Sequence, residues 1–164
     1  MVDTQVREEE EEVTLGASER EAVARFVERL RRGDKMIDIF GVDEDTMGDM
    51  ESQAYRLYRN NRYGQAKVAC RGVLALDEDR PLMLLLMGDM ALDEYRFLSA
   101  VEHLHKAHVL VPDHVVIRAR LGEALMKAGQ ADAACEHLEA VVEEDSGASE
   151  VERKRCGALL SAIK

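Results

Sequence analysis

Apolar positions along this chain recur with helical spacing, and no stretch alternates apolar and polar residues as a half-buried strand would. Ser18 and Glu21 have the S-x-x-E spacing of a capping box, in which each side chain satisfies an amide of the first helical turn. Ala22, Val23, Phe26, Val27 and Leu30 then fall on one stripe, which Gly33 ends. Met36, Ile37, Ile39, Phe40 and Val42 make a second apolar cluster. The segment 34–46 that contains it is bounded by Gly and Asp and is too short for its periodicity to fix a conformation, but it is apolar enough to require a partner. After Ser146-Gly147, the residues Val151, Cys156, Leu159 and Ile163 form a last amphipathic stripe.

Between these stripes the chain repeats itself with a period of 34. Ala54, Gly88 and Gly122 are in register, as are Leu57, Ala91 and Leu125, and Ala66, Ala100 and Ala134. Two further columns hold Cys70, Leu104 and Leu138, and Val73, Ala107 and Val141. A small residue in mid-helix lets a neighbouring helix approach closely, while larger apolar residues fill the space around the approach. A single helical hairpin cannot bury both of its faces, so stacked hairpins are the physical reason for such a repeat, and the last stripe predicts a helix that covers the final open face.

Met87-Gly88 and Leu121-Gly122 resemble the Leu-Gly pair of the first helix of the tetratricopeptide repeat (TPR). Tyr63, Phe97, Ala66, Ala100, Ala134, Ala107 and Pro112 sit where that consensus has its aromatic, its alanines and its closing proline, and Gly129 matches the inter-helix turn of the third copy. The chain departs from the pattern in lacking Trp, in Ala54 for Gly, in Tyr95 for the turn glycine and in Ala131 for the aromatic. The predicted fold is all-α: three TPR units forming a right-handed helical solenoid, with an N-terminal helical extension and a C-terminal capping helix. The corresponding segments are an acidic disordered tail over 1–17, the extension over 18–46, the repeats over 47–148 and the cap over 149–164.

An acidic tail, an amphipathic helix, three repeats and a short cap are together similar to the class II chaperones of type III secretion. The segment 47–69, with Tyr55, Tyr58 and Tyr63-Gly64-Gln65-Ala66, looks like that family's first repeat. The resemblance implies a chaperone of the bacterial cytoplasm that shields apolar segments of hydrophobic translocator proteins before export. It also implies a homodimer formed through the segment before the repeats, with Phe26, Val27, Leu30, Ile37, Ile39 and Phe40 at the contact; the alternative is that this segment folds back on the first repeat. A scaffold or needle-subunit chaperone component that holds a folded partner helix is the second functional reading.

The register places the first helix of each repeat on the concave side. The inner positions of the first are Glu51, Tyr55, Tyr58 and Arg59. The second contributes Leu82, Leu85, Asp89, Leu92 and Asp93, and the third Val116, Ala119, Arg120, Glu123, Met126 and Lys127. This predicts a groove with an apolar floor and charged edges, suited to a peptide segment, with Arg59 and Arg120 at its rim. The bland alternative is that Leu82, Leu85 and Leu92 face the next repeat.

Composition narrows the function classes further. With 22 Lys+Arg against 33 Asp+Glu the net charge is -11, and without a basic patch this disfavours binding to nucleic acid or anionic membranes. The longest apolar run, Leu82 to Met87, is far below the roughly 20 residues of a membrane span, and Met1 to Glu12 lacks the order of a signal peptide. Cys70, Cys135 and Cys156 are an odd number without CxxC spacing and read as reduced, mostly buried thiols. His105 and His108 share a helix face and His103 and His137 occupy equivalent repeat positions, which is too little for a metal site. Phosphate loops, nucleophile elbows and zincin motifs are absent, so neither catalysis nor a cofactor is expected.

Overall fold

The computed structural model describes residues 16–143 and 147–163, which form nine helices and no strand among the described residues. The tail up to residue 15 and the predicted break at Ser146 lie outside the described residues. Three antiparallel helix pairs follow one another. They are α3 (Glu44–Arg59) with α4 (Tyr63–Leu76), α5 (Pro81–Asp93) with α6 (Phe97–Leu110), and α7 (Val115–Lys127) with α8 (Ala131–Val142). Each pair packs on the next, and α9 (Glu150–Ile163) closes the stack against α8 and α7.

The small-residue column holds the pairs together. An added Cβ at Gly88 would meet Leu104 Cγ at 2.5 Å, and one at Gly122 would meet Leu138 Cγ at 2.7 Å, so each leucine occupies the space that its glycine leaves open. In the first repeat Ala54 stands in the glycine column and the shorter Cys70 in the leucine column, both fully buried. The extra methyl group on one helix is matched by a smaller side chain in the other.

The three inter-helix turns are also alike. Asn61, Tyr95 and Gly129, in register at steps of 34, all adopt positive φ, at 57°, 59° and 80°. In each turn the next amide bonds back five residues: Arg62 to Leu57, Arg96 to Ala91 and Gln130 to Leu125. Tyr95 therefore keeps the left-handed conformation its position demands, at a steric cost that glycine avoids. Its ring is left 80% exposed.

Several boundaries differ from the sequence expectation. Helix α1 (Ala17–Arg31) starts before Ser18: Glu19 reaches back to accept the Gly16 amide at 2.7 Å, so the Ser18–Glu21 pair is not the cap. Helix α3 begins at Glu44, capped by Asp43 accepting from the Thr46 amide, three residues before the predicted start of the repeats. The unassigned segment contains the one-turn helix α2 (Met36–Phe40), which Gly41 ends in the left-handed region. A capping box at Ser149 and Glu152 opens α9, where Cys156 and Leu160 are buried and Leu159 and Ile163 pack on the core, while Val151 is exposed and off the stripe.

The extension divides in two. Ile37 and Val42 pack on the first-repeat core, and Lys35 ties α2 to the α4–α5 connection through Asp77 at 2.8 Å and Asp79 at 3.1 Å. Helix α1 buries no residue and rests on α2, with Phe26 and Phe40 rings 6.1 Å apart. Its stripe stays in solvent: Val23, Val27 and Leu30 are exposed, and so is Phe40 of α2, at 59%.

Candidate functional site

The inner face is built from α3, α5, α7 and, at its far end, α9. One line of polar contacts runs across all four helices. The Tyr58 hydroxyl donates to Asp89 Oδ2 at 3.3 Å, and Arg120 Nε lies 3.1 Å from Asp89 Oδ1 as an ion pair. Arg120 Nη1 also donates to Glu123 Oε2 at 3.2 Å, Arg155 of α9 reaches the same oxygen at 2.5 Å, and Lys127 takes Oε1 at 3.1 Å. Periodicity indicated the members on α3, α5 and α7. Arg155 was missed because it approaches from the cap, outside the repeat register.

Burial sets the electrostatics of this line. It pushes the Tyr58 phenol up to about 12, helped by the charge of Asp89. Asp89 is likewise raised above the ordinary 3.8, because its desolvation outweighs Arg120 and the Tyr58 hydrogen bond. Glu123 is only 7% exposed, and burial alone would raise it. Lys127, Arg155 and Arg120 overcome that tendency and hold it below the usual carboxylate range.

Apolar groups lie beside the line. Tyr55 and Leu82 are each 39% exposed, and Leu85, Val116, Ala119 and Met126 are half-buried. Between α7 and α9 a cavity of about 60 Å³ is floored by Val116, Ala119, Cys156 and Leu159 and walled by Arg120 and Arg155. Leu92 does not belong to this surface: at 6% exposure it sits in the core beside Ala100 and Leu104, so for this leucine the packing alternative holds. Arg120 is no free rim charge either, being partly buried and paired on both sides. Arg59 is exposed, with its guanidinium over the Tyr55 ring and its Nη1 3.2 Å from the Tyr55 hydroxyl. Glu51 lies 3.7 Å from Arg80, which also binds Glu44 of α3 and Asp77, the carboxylate that Lys35 of the extension shares. Asp93 is exposed at the end of α5.

The other candidate residues fall into packing roles. Cys70 and Cys156 are buried free thiols, Cys135 is half-buried, and burial pushes Cys70 up to about 11. His108 of α6 and His137 of α8 meet edge to face with centroids 5.0 Å apart, a pairing that repeat equivalence did not indicate, and His105 is exposed. Among the described residues no group of three or more ligating side chains could hold a metal ion, and no helix is long and apolar enough to cross a membrane.

Comparison with known proteins follows the same architecture. Residues 91–155 match the tetratricopeptide repeat family model. No curated protein gives a significant sequence match. Among solved structures, the type III secretion translocator chaperone SycD of Yersinia enterocolitica is similar at a TM-score of 0.67 and 18% identity, over 74% of this chain and 86% of that one. PcrH of Pseudomonas aeruginosa gives 0.64 and 16%, over 74% and 94%. SycD in complex with a peptide of the translocator YopD gives 0.63 and 20%, over 74% and 95%. The helix pairs, the recurring turns and the capped end thus give this chain a tetratricopeptide-like helical solenoid, the fold it shares with the type III secretion translocator chaperones.

Proposed function

We propose that the chain is a cytoplasmic chaperone of a type III secretion system, which holds an apolar segment of a translocator protein on its inner face before export. The observation that carries this reading is the half-open apolar strip of Tyr55, Leu82, Leu85 and Met126 beside a polar line whose charges are already paired with one another. Such a surface gains by covering its apolar groups and makes little demand for charge on the bound segment. SycD, similar in fold, is known bound to a translocator peptide, and PcrH to the chaperone-binding region of PopD. Binding removes the client's aggregation-prone surface from water, and the acidic exterior keeps the complex in solution. No step of this activity requires catalysis or a cofactor.

The exposed stripe of Val23, Val27 and Leu30 on α1, continued by Phe40, is the contact for a second copy of the chain. Phe26 and Ile39 lie beside it half-buried, whereas Ile37 is committed to the first-repeat core.

The test is affinity capture of the tagged chain from its own host, followed by calorimetric titration of the captured translocator's apolar segments. Tyr55→Ala and Leu82→Ala should each weaken binding by about 1 to 2 kcal/mol with melting temperature nearly unchanged, since both side chains are partly exposed. Unchanged affinity in both variants would refute the inner face as the binding surface. Leu92→Ala cannot serve here, because loss of a core leucine lowers stability as well.

A further inference from the structure

Asp89 is an expensive side chain for its place. It stands in a helix whose other central positions are Leu84, Leu85, Leu86, Met87, Gly88 and Met90, and its side chain keeps only 12% of its exposure. Its Oδ1 is closed to solvent and makes no hydrogen bond, since the Arg120 Nε 3.1 Å away is close as an ion but not well aimed. An apolar residue there would avoid the cost of a buried carboxylate. What the carboxylate does that a leucine cannot is grip α3 and α7, which flank α5 on opposite sides, by one polar side chain each.

We infer that Asp89 is a positioning residue of the binding face, fixing the pose of Tyr58 from the first repeat and Arg120 from the third, the two polar side chains that a segment lying across α5 meets on either side. The inference rests on the inner face being the binding surface. The charged groups that act on Asp89 are Asp93 on its own helix and Arg120 and Glu123 from α7, and the neutral Tyr58 phenol from α3 donates a hydrogen bond to it. Asp89 therefore accepts a proton more readily than an ordinary aspartate, and protonation should free Arg120 Nε from Asp89 while Arg120 stays paired through Nη1 with Glu123, which is held ionised to lower pH.

Asp89→Asn keeps the shape and an acceptor for Tyr58 but removes the charge that holds Arg120. The first readout needs no client: the Arg120 Nε resonance and the Tyr58 ring resonances, assigned with Arg120→Lys and Tyr58→Phe, are followed by NMR as pH is lowered from neutrality. In the wild-type protein the two sets should move together at a pH above the ordinary 3.8 of aspartate. In Asp89→Asn both should stay flat over that range. The second readout is anisotropy of a fluorescein-labelled synthetic peptide in which valine, leucine and proline alternate with serine. Affinity should fall about tenfold in Asp89→Asn while the melting temperature shifts only slightly. Wild-type affinity in Asp89→Asn, or wild-type resonances that do not move together, overturns the inference. Should the wild-type protein fail to bind the peptide, the reading of the inner face loses support while the NMR result still decides the positioning role. If Asp89→Asn does not fold, Tyr58→Phe removes the same hydrogen bond from the partner's side: it should displace the Arg120 Nε resonance, and an unmoved resonance overturns the inference.

Discussion

The two halves of the core are filled with different kinds of side chain. Around the first repeat four of the nine buried positions are methionines, Met47, Met83, Met87 and Met90, beside Ala54, Ala66, Cys70, Val73 and Leu86. Toward the cap they belong to Leu104, Leu121, Leu125, Leu138 and Leu160, set among alanines. Methionine, unbranched and polarizable, fills irregular gaps and tolerates rearrangement, whereas a branched leucine seated over a glycine has one shape that fits. The pliant half therefore lies beneath Tyr55 and Tyr58, and the interlocked half beneath Arg120, Glu123 and Arg155. The inner face thus has one end that can adapt and one that is fixed.

The largest test of that contrast is a matched pair of substitutions in the small-residue column. Gly122→Leu must push apart α7 and α8, because a single added Cβ already stands 2.7 Å from Leu138 Cγ. A loss of about 3 kcal/mol or more is expected by chemical denaturation. Ala54→Leu, at the equivalent place against Cys70 and the methionines, should cost clearly less, about 1 to 2 kcal/mol. Equal losses would break the distinction. The cap is the next test: Leu160 is buried against the interlocked half, so Leu160→Ala should cost about 2 to 4 kcal/mol and lower the melting temperature accordingly. A change within error would mean that α9 is an ornament and not the end plate of the stack.

A smaller and graded loss should accompany acidification. Burial lowers the proton affinity of both His108 and His137 below the ordinary 6.5, and a charged His108 would further disfavour the charged form of His137. The folded state then binds fewer protons than the unfolded chain. Stability from this pair is complete above about 6.5 and is lost as pH falls from there through the lower value of the folded state. Denaturation curves across that window should show the slope, and His108→Gln should flatten it. A wild-type protein equally stable on both sides of the window would show that the two rings ionise freely.

The repeat was legible because one residue type per column suffices to state a packing constraint: a glycine or alanine where helices cross, an alanine at the next contact, and a residue tolerating positive φ at the turn. Even Tyr95, a departure from the consensus, keeps the backbone of Asn61 and Gly129. The helix starts were less legible. Glu19 and Glu21 are each three residues from a plausible cap, Gly16 and Ser18, and only the chain's actual path selects Gly16. Register puts Leu92 on the groove side because it gives the face of a helix but not the depth of a side chain, which the neighbouring Leu104 and Ala100 decide. Arg155 and the pairing of His108 with His137 come from elements that meet in space without sharing a repeat position, so no periodicity could announce them.

The smallest effect on stability should come from the outermost helix of the pliant half, and there it separates folding from assembly. Helix α1 has no buried residue, and Val27 and Leu30 remain 37% and 43% exposed although both lie on its apolar stripe. Replacing either with serine removes little buried area within one chain, so Val27→Ser and Leu30→Ser should each change the unfolding free energy by no more than about 0.5 kcal/mol. If the stripe is covered by a second copy, the same substitutions remove apolar area from the contact of both partners at once. The double variant should then sediment as a monomer at concentrations of tens of micromolar where the wild-type chain is a dimer. A wild-type chain already monomeric there would end the dimer reading, and a marked loss of monomer stability in the serine variants would show that α1 packs on its own repeats after all. Both measurements bear on the contrast between the halves, because α1, which rests on α2, can be removed from one end of the stack, whereas removing α9 from the other should unfold the repeat beneath it.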